Sequence, residues 1–192
     1  MSVAESLEPV GFDESITEPF TEESYFAMGE TPNRIELFDG SLVVSPAPSV
    51  RHQSISIRLA AALLPAVDAV GLEVVEAVNV RLRQGRIFIP DLVVLPDVDQ
   101  GVYVPVELVA FVAEIVSPGN AGNDRLLKFQ LYAMAGIPWY LLVESEGDDL
   151  VLTLFRLEDG AYVEHAVAKG DEVLRITDPF TVDLRPNSLL RR

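Results

Sequence analysis

Two short apolar runs constrain this chain most, because each carries one carboxylate where a buried strand should carry none. They span residues 87–96 (IFIPDLVVLP) and 108–118 (LVAFVAEIVSP). Runs of Val, Ile, Leu and Phe bounded by prolines are typical of central strands that are covered on both faces. Since an unpaired carboxylate is costly to remove from water, Asp91 and Glu114 each need a partner. A hard divalent cation, which prefers oxygen ligands, would satisfy both carboxylates at once.

The alternation of side chains along a strand predicts that these two carboxylates meet. Asp91 shares a strand face with Val93, and Glu114 shares one with Val112 and Val116. Successive residues of a strand point to opposite faces of the sheet, so neighbouring strands with this parity bring both acids to one face. The sequence therefore predicts a metal site at Asp91 and Glu114.

The composition leaves room for an oxygen-ligand site and little for other metal sites. The 192 residues include no cysteine and only two histidines, His52 and His165. A thiolate zinc site and a disulfide framework are thereby excluded. The length suits one domain with a full core. There is no apolar run of about 18 residues and no signal-peptide pattern, so we expect a cytoplasmic protein without a membrane partner.

The formal charge of −16 argues against a broad basic face for nucleic acid, but the charge is unevenly distributed. Residues 1–33 hold eight acids and no Lys or Arg, whereas residues 51–128 hold seven bases against nine acids. With Asp91 and Glu114 masked by a metal, the remaining seven acids of this segment would balance its seven bases. We expect the mouth of the site to be lined by some of six arginines. These are Arg51, Arg58, Arg81, Arg83, Arg86 and Arg125.

The hydrophobic periodicities predict an α/β fold, or α+β by a stricter label, with a mixed sheet flanked by helices. We expect residues 1–20 to form a flexible acidic arm, residues 21–192 a single domain, and the residues after 168 a polar tail. The predicted elements are a short helix after Thr21, a hairpin over 34–45, a helix over 50–69, antiparallel strands over 72–82 and 86–95, a strand from 108 to Ser117, a helix from 123 or 124 to Gly136, a strand over 138–144, and a hairpin over 150–168.

The helix that follows the Glu114 strand predicts a cation beside the two acids. Its residues Asp124, Lys128 and Tyr132 recur every four positions and so lie on one polar ridge. The apolar positions predicted to face the sheet are Leu127, Leu131 and Met134. Lys128 could instead form an exposed ion pair with Asp124. Asp91 and Glu114 could instead be exposed to solvent at the ends of their strands.

These residues together resemble the PD-(D/E)XK nuclease superfamily and, within it, the "putative restriction endonuclease" family. The matching motifs are Pro90-Asp91, then Glu114-Ile115-Val116-Ser117-Pro118, then Asp124, Lys128, Tyr132 and Gly136, and the stretches RIELFDGSLVVSPAPSVRHQ and IPDLVVLP. The likeness covers about residues 20–185. It implies a restriction-endonuclease-like mixed sheet, in which Asp91, Glu114 and the backbone carbonyl of Ile115 bind Mg²⁺ or Mn²⁺. Glu36 and His52, which lie in the N-terminal stretches, would add a third carboxylate and a proton carrier.

One position departs from the superfamily pattern, because Val116 stands where the motif lysine is expected. The resemblance implies that Lys128 supplies this lysine from the helix. The implied function is a metal-dependent endonuclease acting on nucleic acid, on DNA rather than RNA. A homodimer would let two such sites cut both strands of a duplex. Lys128→Ala is expected to abolish cleavage while leaving folding almost unchanged.

The alternative is a catalytically inactive nuclease-fold protein that acts as a protein-interaction or nucleic-acid-binding module. The missing lysine at Val116 and the acidic composition favour this alternative.

Overall fold

A computed structural model describes residues 18–31, 33–98, 101–116 and 123–190, without the side chains of 123–125. The acidic arm predicted for residues 1–20 lies outside these ranges up to residue 17. The helices are α1 (Glu22–Ala27), α2 (Val50–Asp68) and α3 (Asn123–Met134), with 3-10 turns at Val106–Leu108 and Pro186–Leu189. The strands are β1 (Arg34–Phe38), β2 (Ser41–Ser45), β3 (Leu72–Glu76), β4 (Val80–Arg83), β5 (Arg86–Phe88), β6 (Leu92–Pro96), β7 (Val104–Pro105), β8 (Phe111–Ile115), β9 (Trp139–Glu146), β10 (Asp149–Glu158), β11 (Ala161–Lys169), β12 (Leu174–Ile176) and β13 (Val182–Leu184).

The strands form two larger sheets and one small hairpin. A five-stranded sheet has the order β2-β1-β5-β4-β7, a six-stranded sheet has the order β11-β10-β9-β8-β6-β3, and β12 pairs with β13. β8 and β9 are parallel neighbours joined through α3, which confirms the predicted crossover. The predicted mixed α+β architecture is thereby confirmed. Within the described ranges, no helix has both the length and the apolar character needed to cross a bilayer.

The two predicted strands over 72–82 and 86–95 are each broken into two, which corrects the sequence-based prediction. β3 pairs with β6 in the six-stranded sheet, whereas β4 pairs with β5 in the five-stranded sheet. One bend lies at Ala77, whose φ of +52° is left-handed. The other lies at Pro90, which has no N–H to donate to a strand ladder. The hairpin therefore passes from one sheet to the other, and Asp91 lies at the crossing point.

The six-stranded sheet is covered on both faces. On one face, α2 packs against β3, β6 and β8 through Leu59, Leu63 and Val67, which are fully buried. On the other face, Leu131 and Tyr132 of α3 pack with the opposite side chains of the same strands. These two coverings explain why the central strands are continuously apolar.

The orientation of α3 differs from the prediction in one respect. Met134 is 74% exposed, although it was predicted to face the sheet, whereas Lys128 is only 4% exposed. The buried face of α3 is therefore rotated toward the predicted polar ridge. Lys128 and Tyr132 point inward because they have acidic partners in the sheet.

The predicted polar tail is also wrong. β12, β13 and the following 3-10 turn contribute apolar side chains to the core on the α2 face of the large sheet. Phe180, between β12 and β13, is also buried, at 1% exposed, and its ring centroid lies 5.4 Å from that of Phe111. In the segment after residue 168, charged residues alternate with buried apolar ones. The apolar stretches are too short for their alternation to predict strands from the sequence.

Candidate active site

Side chains from both sheets and two helices converge where the chain crosses between the sheets. Alternate residues of β1, Arg34 and Glu36, point to one face, and the first turn of α2 adds His52. Asp91 lies directly before β6, and Glu114 lies near the end of β8. α3 supplies a lysine and a tyrosine. We call this group the charged cluster, and its members are Arg34, Glu36, His52, Asp91, Glu114, Lys128 and Tyr132.

Asp91 is held as a carboxylate by three donors. Arg34 Nη1 donates to its Oδ1 at 2.7 Å, the Ile115 N–H donates to its Oδ2 at 2.8 Å, and His52 Nε2 lies 3.3 Å from Oδ1. Burial acts to raise the pKa of this carboxyl, but the hydrogen bond from His52 and the charge of Arg34 outweigh burial. The pKa of Asp91 therefore lies well below its usual range.

Lys128 bridges the two remaining acids. Its Nζ lies 2.9 Å from Glu36 Oε1 and 3.5 Å from Glu114 Oε1. The Ile89 N–H also donates to Glu36 Oε1, at 2.8 Å. Glu36 is completely buried. The interpretation of Lys128 as an exposed partner of Asp124 is therefore wrong. The expectation that Lys128→Ala leaves folding almost unchanged is wrong for the same reason, because removal of Lys128 would leave buried acids without their cation.

Glu114 is the acid least compensated by positive charge. The Tyr132 hydroxyl donates to its Oε1 at 2.8 Å. Burial raises the pKa of this carboxyl to about 8 although Lys128 opposes the shift, and the negative charge of Asp91 adds to it. The cluster can thus accept a further positive charge at Glu114.

The strand register explains why Asp91 and Glu114 meet. Leu92 of β6 faces Ala113 of β8, so the next residues along the two antiparallel strands are Asp91 and Glu114. The backbone of Ile115 faces Asp91, because its N–H donates to that side chain. The N–H and C=O of one strand residue point to the same side, so the Ile115 carbonyl has the same orientation.

The cluster has the donor chemistry of a hard-cation site. Glu36 Oε2 is buried without a hydrogen-bond partner, which leaves one acceptor unsatisfied. Carboxylate and carbonyl oxygens are the ligands that Mg²⁺ prefers. Within the described ranges, however, no three His, Cys, Asp or Glu side chains are grouped closely enough to hold one ion. A site here would therefore combine two carboxylates with a backbone carbonyl and water.

All five predicted catalytic residues lie in the charged cluster, but three of the predicted arginines are paired with other acids. Arg81 pairs with Glu22 at 3.0 Å, and Arg83 and Arg86 both pair with Asp39. Of the six predicted arginines, the five whose side chains are described do not line the cleft of 510 Å³ that opens beside Arg34. Acids near in space neutralise Arg81, Arg83 and Arg86, and the lining of the mouth of the charged cluster stays a prediction. The side chains of Asp124 and Arg125 lie outside the described residues.

The sequence-based search missed two members of the cluster. Arg34 lies two residues before Glu36 on the predicted hairpin strand, so strand alternation places both on one face. Tyr132 lies four residues after Lys128 on the polar ridge predicted for α3, but the sequence alone assigns it no role in the site. Each of these two residues could have been found because it shares a face with a predicted site residue: Arg34 with Glu36 on a strand, and Tyr132 with Lys128 on a helix.

The α+β fold brings acids from two neighbouring strands beside a lysine, and a fold of this kind is shared with a nuclease-like protein. The chain belongs to the Uma2 family, described as "Putative restriction endonuclease", whose family model matches residues 22–188. The fold is also similar to the crystal structure of a "putative nuclease belonging to DUF820" from Anabaena variabilis ATCC 29413. That similarity has a TM-score of 0.63 at 13% identity and covers 82% of this chain and 89% of the other. No curated protein matches the sequence. The predicted resemblance is confirmed, consistent with the PD-(D/E)XK superfamily.

Proposed function

We propose that this protein is a metal-dependent endonuclease that hydrolyses phosphodiester bonds in DNA. The observation that supports this best is the position of Lys128, whose ammonium lies 2.9 Å from Glu36 and 3.5 Å from Glu114. It provides the positive charge that Val116 cannot provide. Fold similarity alone does not establish an activity, so the proposed activity depends on the side chains around Lys128.

Asp91, Glu114 and the backbone carbonyl of Ile115 would hold Mg²⁺ or Mn²⁺. When bound, such an ion supplies Lewis-acid polarisation of a phosphoryl oxygen and lowers the pKa of a bound water. The orientation of the Ile115 backbone toward Asp91 and the raised pKa of Glu114 support this ligand set.

The protein's own side chains would bind and orient the phosphate. Lys128 has three N–H donors, so it can keep its contact with Glu36 while donating to a phosphate oxygen. There it would stabilise the negative charge that develops during attack. Glu36 Oε2, which has no hydrogen-bond partner, can accept a proton from water, and His52 beside Asp91 can carry a proton to the leaving oxygen.

The decisive test replaces the lysine and measures DNA cleavage with Mg²⁺ and with Mn²⁺. Lys128→Met should lower the rate by about 10²–10³-fold, the usual effect of removing one charge-stabilising donor. It should also destabilise the fold by about 3–5 kcal/mol, because it leaves buried acids unpaired. Activity must therefore be measured well below the melting temperature of the variant.

Two further variants separate chemistry from folding. Lys169→Met removes the chain's other lysine, an exposed one that pairs with Glu146 at 2.9 Å, and should leave the cleavage rate unchanged. Adding Val116→Lys to Lys128→Met should restore part of the activity, because Val116 shares a strand face with Glu114. A parent protein that cuts DNA with neither metal would overturn the proposal in favour of an inactive binding module. RNA of the same sequence tests the preference for DNA.

The homodimer, the cytoplasmic location and the single domain over residues 21–192 remain predictions from the sequence.

A further inference from the structure

A cleft of 510 Å³ opens directly beside the charged cluster. Its walls are α1, the start of β1 and the bend that follows β3. Two of its lining residues also contact the cluster: Arg34 donates to Asp91 at 2.7 Å, and the Ile89 N–H donates to Glu36 at 2.8 Å. A molecule that fills the cleft therefore lies next to the carboxylates.

The volume of the cleft suits one small molecular unit. Binding pockets for small molecules have volumes of about 300–1,000 Å³ and combine apolar walls with a few placed polar groups. The bases of a duplex are stacked and paired, so they cannot enter a pocket of this kind without leaving the helix. A single unpaired base can enter it.

Aromatic rings and amides line the cleft. Phe26 is half-buried; its ring centroid lies 5.2 Å from that of Tyr25 and 5.8 Å from that of Tyr103, with which it is stacked. The Asn79 amide is fixed, because its oxygen lies 2.9 Å from the Tyr25 hydroxyl and its nitrogen donates to the Val102 carbonyl at 3.0 Å. An amide nitrogen carries two donors, so the second can contact the edge of a base.

The backbone at the rear of the cleft has an unusual conformation. Ala77 lines the cleft with a φ of +52°, a left-handed conformation that residues other than glycine seldom adopt. Such conformations recur at ligand sites, where the surrounding structure maintains them. Here the bend follows β3, and the side chain that Ala77 contributes to the cleft wall is a single methyl group.

The charge distribution disfavours a duplex as the ligand. Duplex binding draws much of its affinity from Lys and Arg that neutralise many phosphates. Three arginines of the five-stranded sheet, Arg81, Arg83 and Arg86, are instead paired with Glu22 and Asp39. At the floor of the cleft Arg34 has five N–H donors, of which one is used on Asp91, so it can hold a single phosphate.

From these observations we infer that the cleft binds an unpaired nucleotide of a single-stranded nucleic acid, with its phosphate directed by Arg34 toward the charged cluster. The base stacks on the Phe26 ring and contacts the Asn79 amide. The inference rests on the proposed function for the role of the cluster, but the binding itself can be measured without cleavage.

The test is fluorescence anisotropy with a labelled DNA strand of about 16 nucleotides, a length that fills a typical single-strand site. The same sequence is measured as a duplex, and binding is recorded in EDTA and in Ca²⁺ with strand integrity checked on a gel. The single strand should bind at least about tenfold more tightly than the duplex. Equal affinity for both would overturn the inference.

Variants at Phe26 separate stacking from packing. Phe26→Leu keeps an apolar side chain but removes the aromatic face, and should weaken single-strand binding by about tenfold. Phe26→Tyr keeps the face and should bind like the parent, as should Val163→Ala on the remote edge strand β11. Melting curves confirm that each variant is folded. A Phe26→Leu protein that binds as tightly as the parent would contradict the inference.

The remaining measurements compare a DNA strand, an RNA strand and a free nucleotide as ligands, and they separate single-strand binding from cleavage. An RNA strand that binds like the DNA strand also supports the inference, whereas binding of a free deoxynucleoside monophosphate without strand binding overturns it. Phe26-dependent strand binding in a protein that never cleaves would refute the proposed function only. Equal cleavage of duplex and single strand, unaffected by Phe26→Leu, would refute this inference only.

Discussion

At the scale of single residues, burial of the Glu114 carboxyl has a direct consequence for stability. Burial raises the pKa of its carboxyl from 4.5 to about 8. Between these pH values the unfolded chain has released this proton and the folded chain has kept it, so stability falls as the pH rises from about 4.5 to about 8. Each unit of pKa difference corresponds to about 1.4 kcal/mol. The protonated Glu114 side chain therefore stabilises the fold fully below about pH 4.5, and this contribution is lost by about pH 8.

Glu114→Gln should remove that pH dependence. The unfolding free energy of the variant minus that of the parent should increase from about pH 5 to about pH 8 and then level off. Urea denaturation at a series of pH values in EDTA measures this difference. Glu158→Gln, which changes an exposed acid, should give a constant difference. The same constant difference for Glu114→Gln would show that Glu114 is ionised throughout the range.

At the scale of elements, the bend after β3 determines where the two sheets separate. Ala77 adopts a φ of +52°, and a left-handed backbone costs a residue with a Cβ about 1–2 kcal/mol. Glycine avoids that clash but loses about 0.5–1 kcal/mol through its greater freedom in the unfolded chain. Ala77→Gly should therefore stabilise the protein by up to about 1 kcal/mol.

A matched variant tests that explanation. Ala61→Gly lies in the exposed interior of α2 and should destabilise the protein by about 1 kcal/mol. Thermal or urea denaturation of both variants measures the two changes. If both lower the stability equally, the left-handed backbone at Ala77 is not strained.

At the scale of the whole molecule, the net charge of −16 opposes a compact state. Salt screens this repulsion over a Debye length that falls from about 30 Å at 0.01 M to about 3 Å at 1 M. The exposed ion pairs, such as Arg175–Asp183, lose only about 0–1 kcal/mol each under the same conditions. The melting temperature should therefore rise by several degrees as NaCl increases across this range.

A variant with less negative charge serves as the control for the salt effect. Combining Glu73→Gln, Glu158→Gln and Asp171→Asn removes three exposed acids and should reduce the salt response. A melting temperature that is constant or falls with salt would indicate that the ion pairs outweigh the net repulsion.

The sequence by itself determined the main helices and strands, the turn at Asp39-Gly40 and the meeting of Asp91 with Glu114. These features depend on short-range rules. Strand alternation fixes which side chains share a face, and the left-handed φ angles of Asp39 (+47°) and Gly40 (+86°) suit the tight turn that this dipeptide predicts. An uninterrupted apolar run also indicates burial on both faces. The same rules placed Lys128 one helical turn from Tyr132.

Only the tertiary structure decided how these elements are arranged. The division of one hairpin between two sheets, the inward rotation of α3 and the burial of Phe180 each depend on contacts between residues far apart in the chain. Periodicity gives the polar ridge of α3 but not its direction. That direction follows from the acids Glu36 and Glu114, because a buried carboxylate must have a cation near it and Lys128 reaches both.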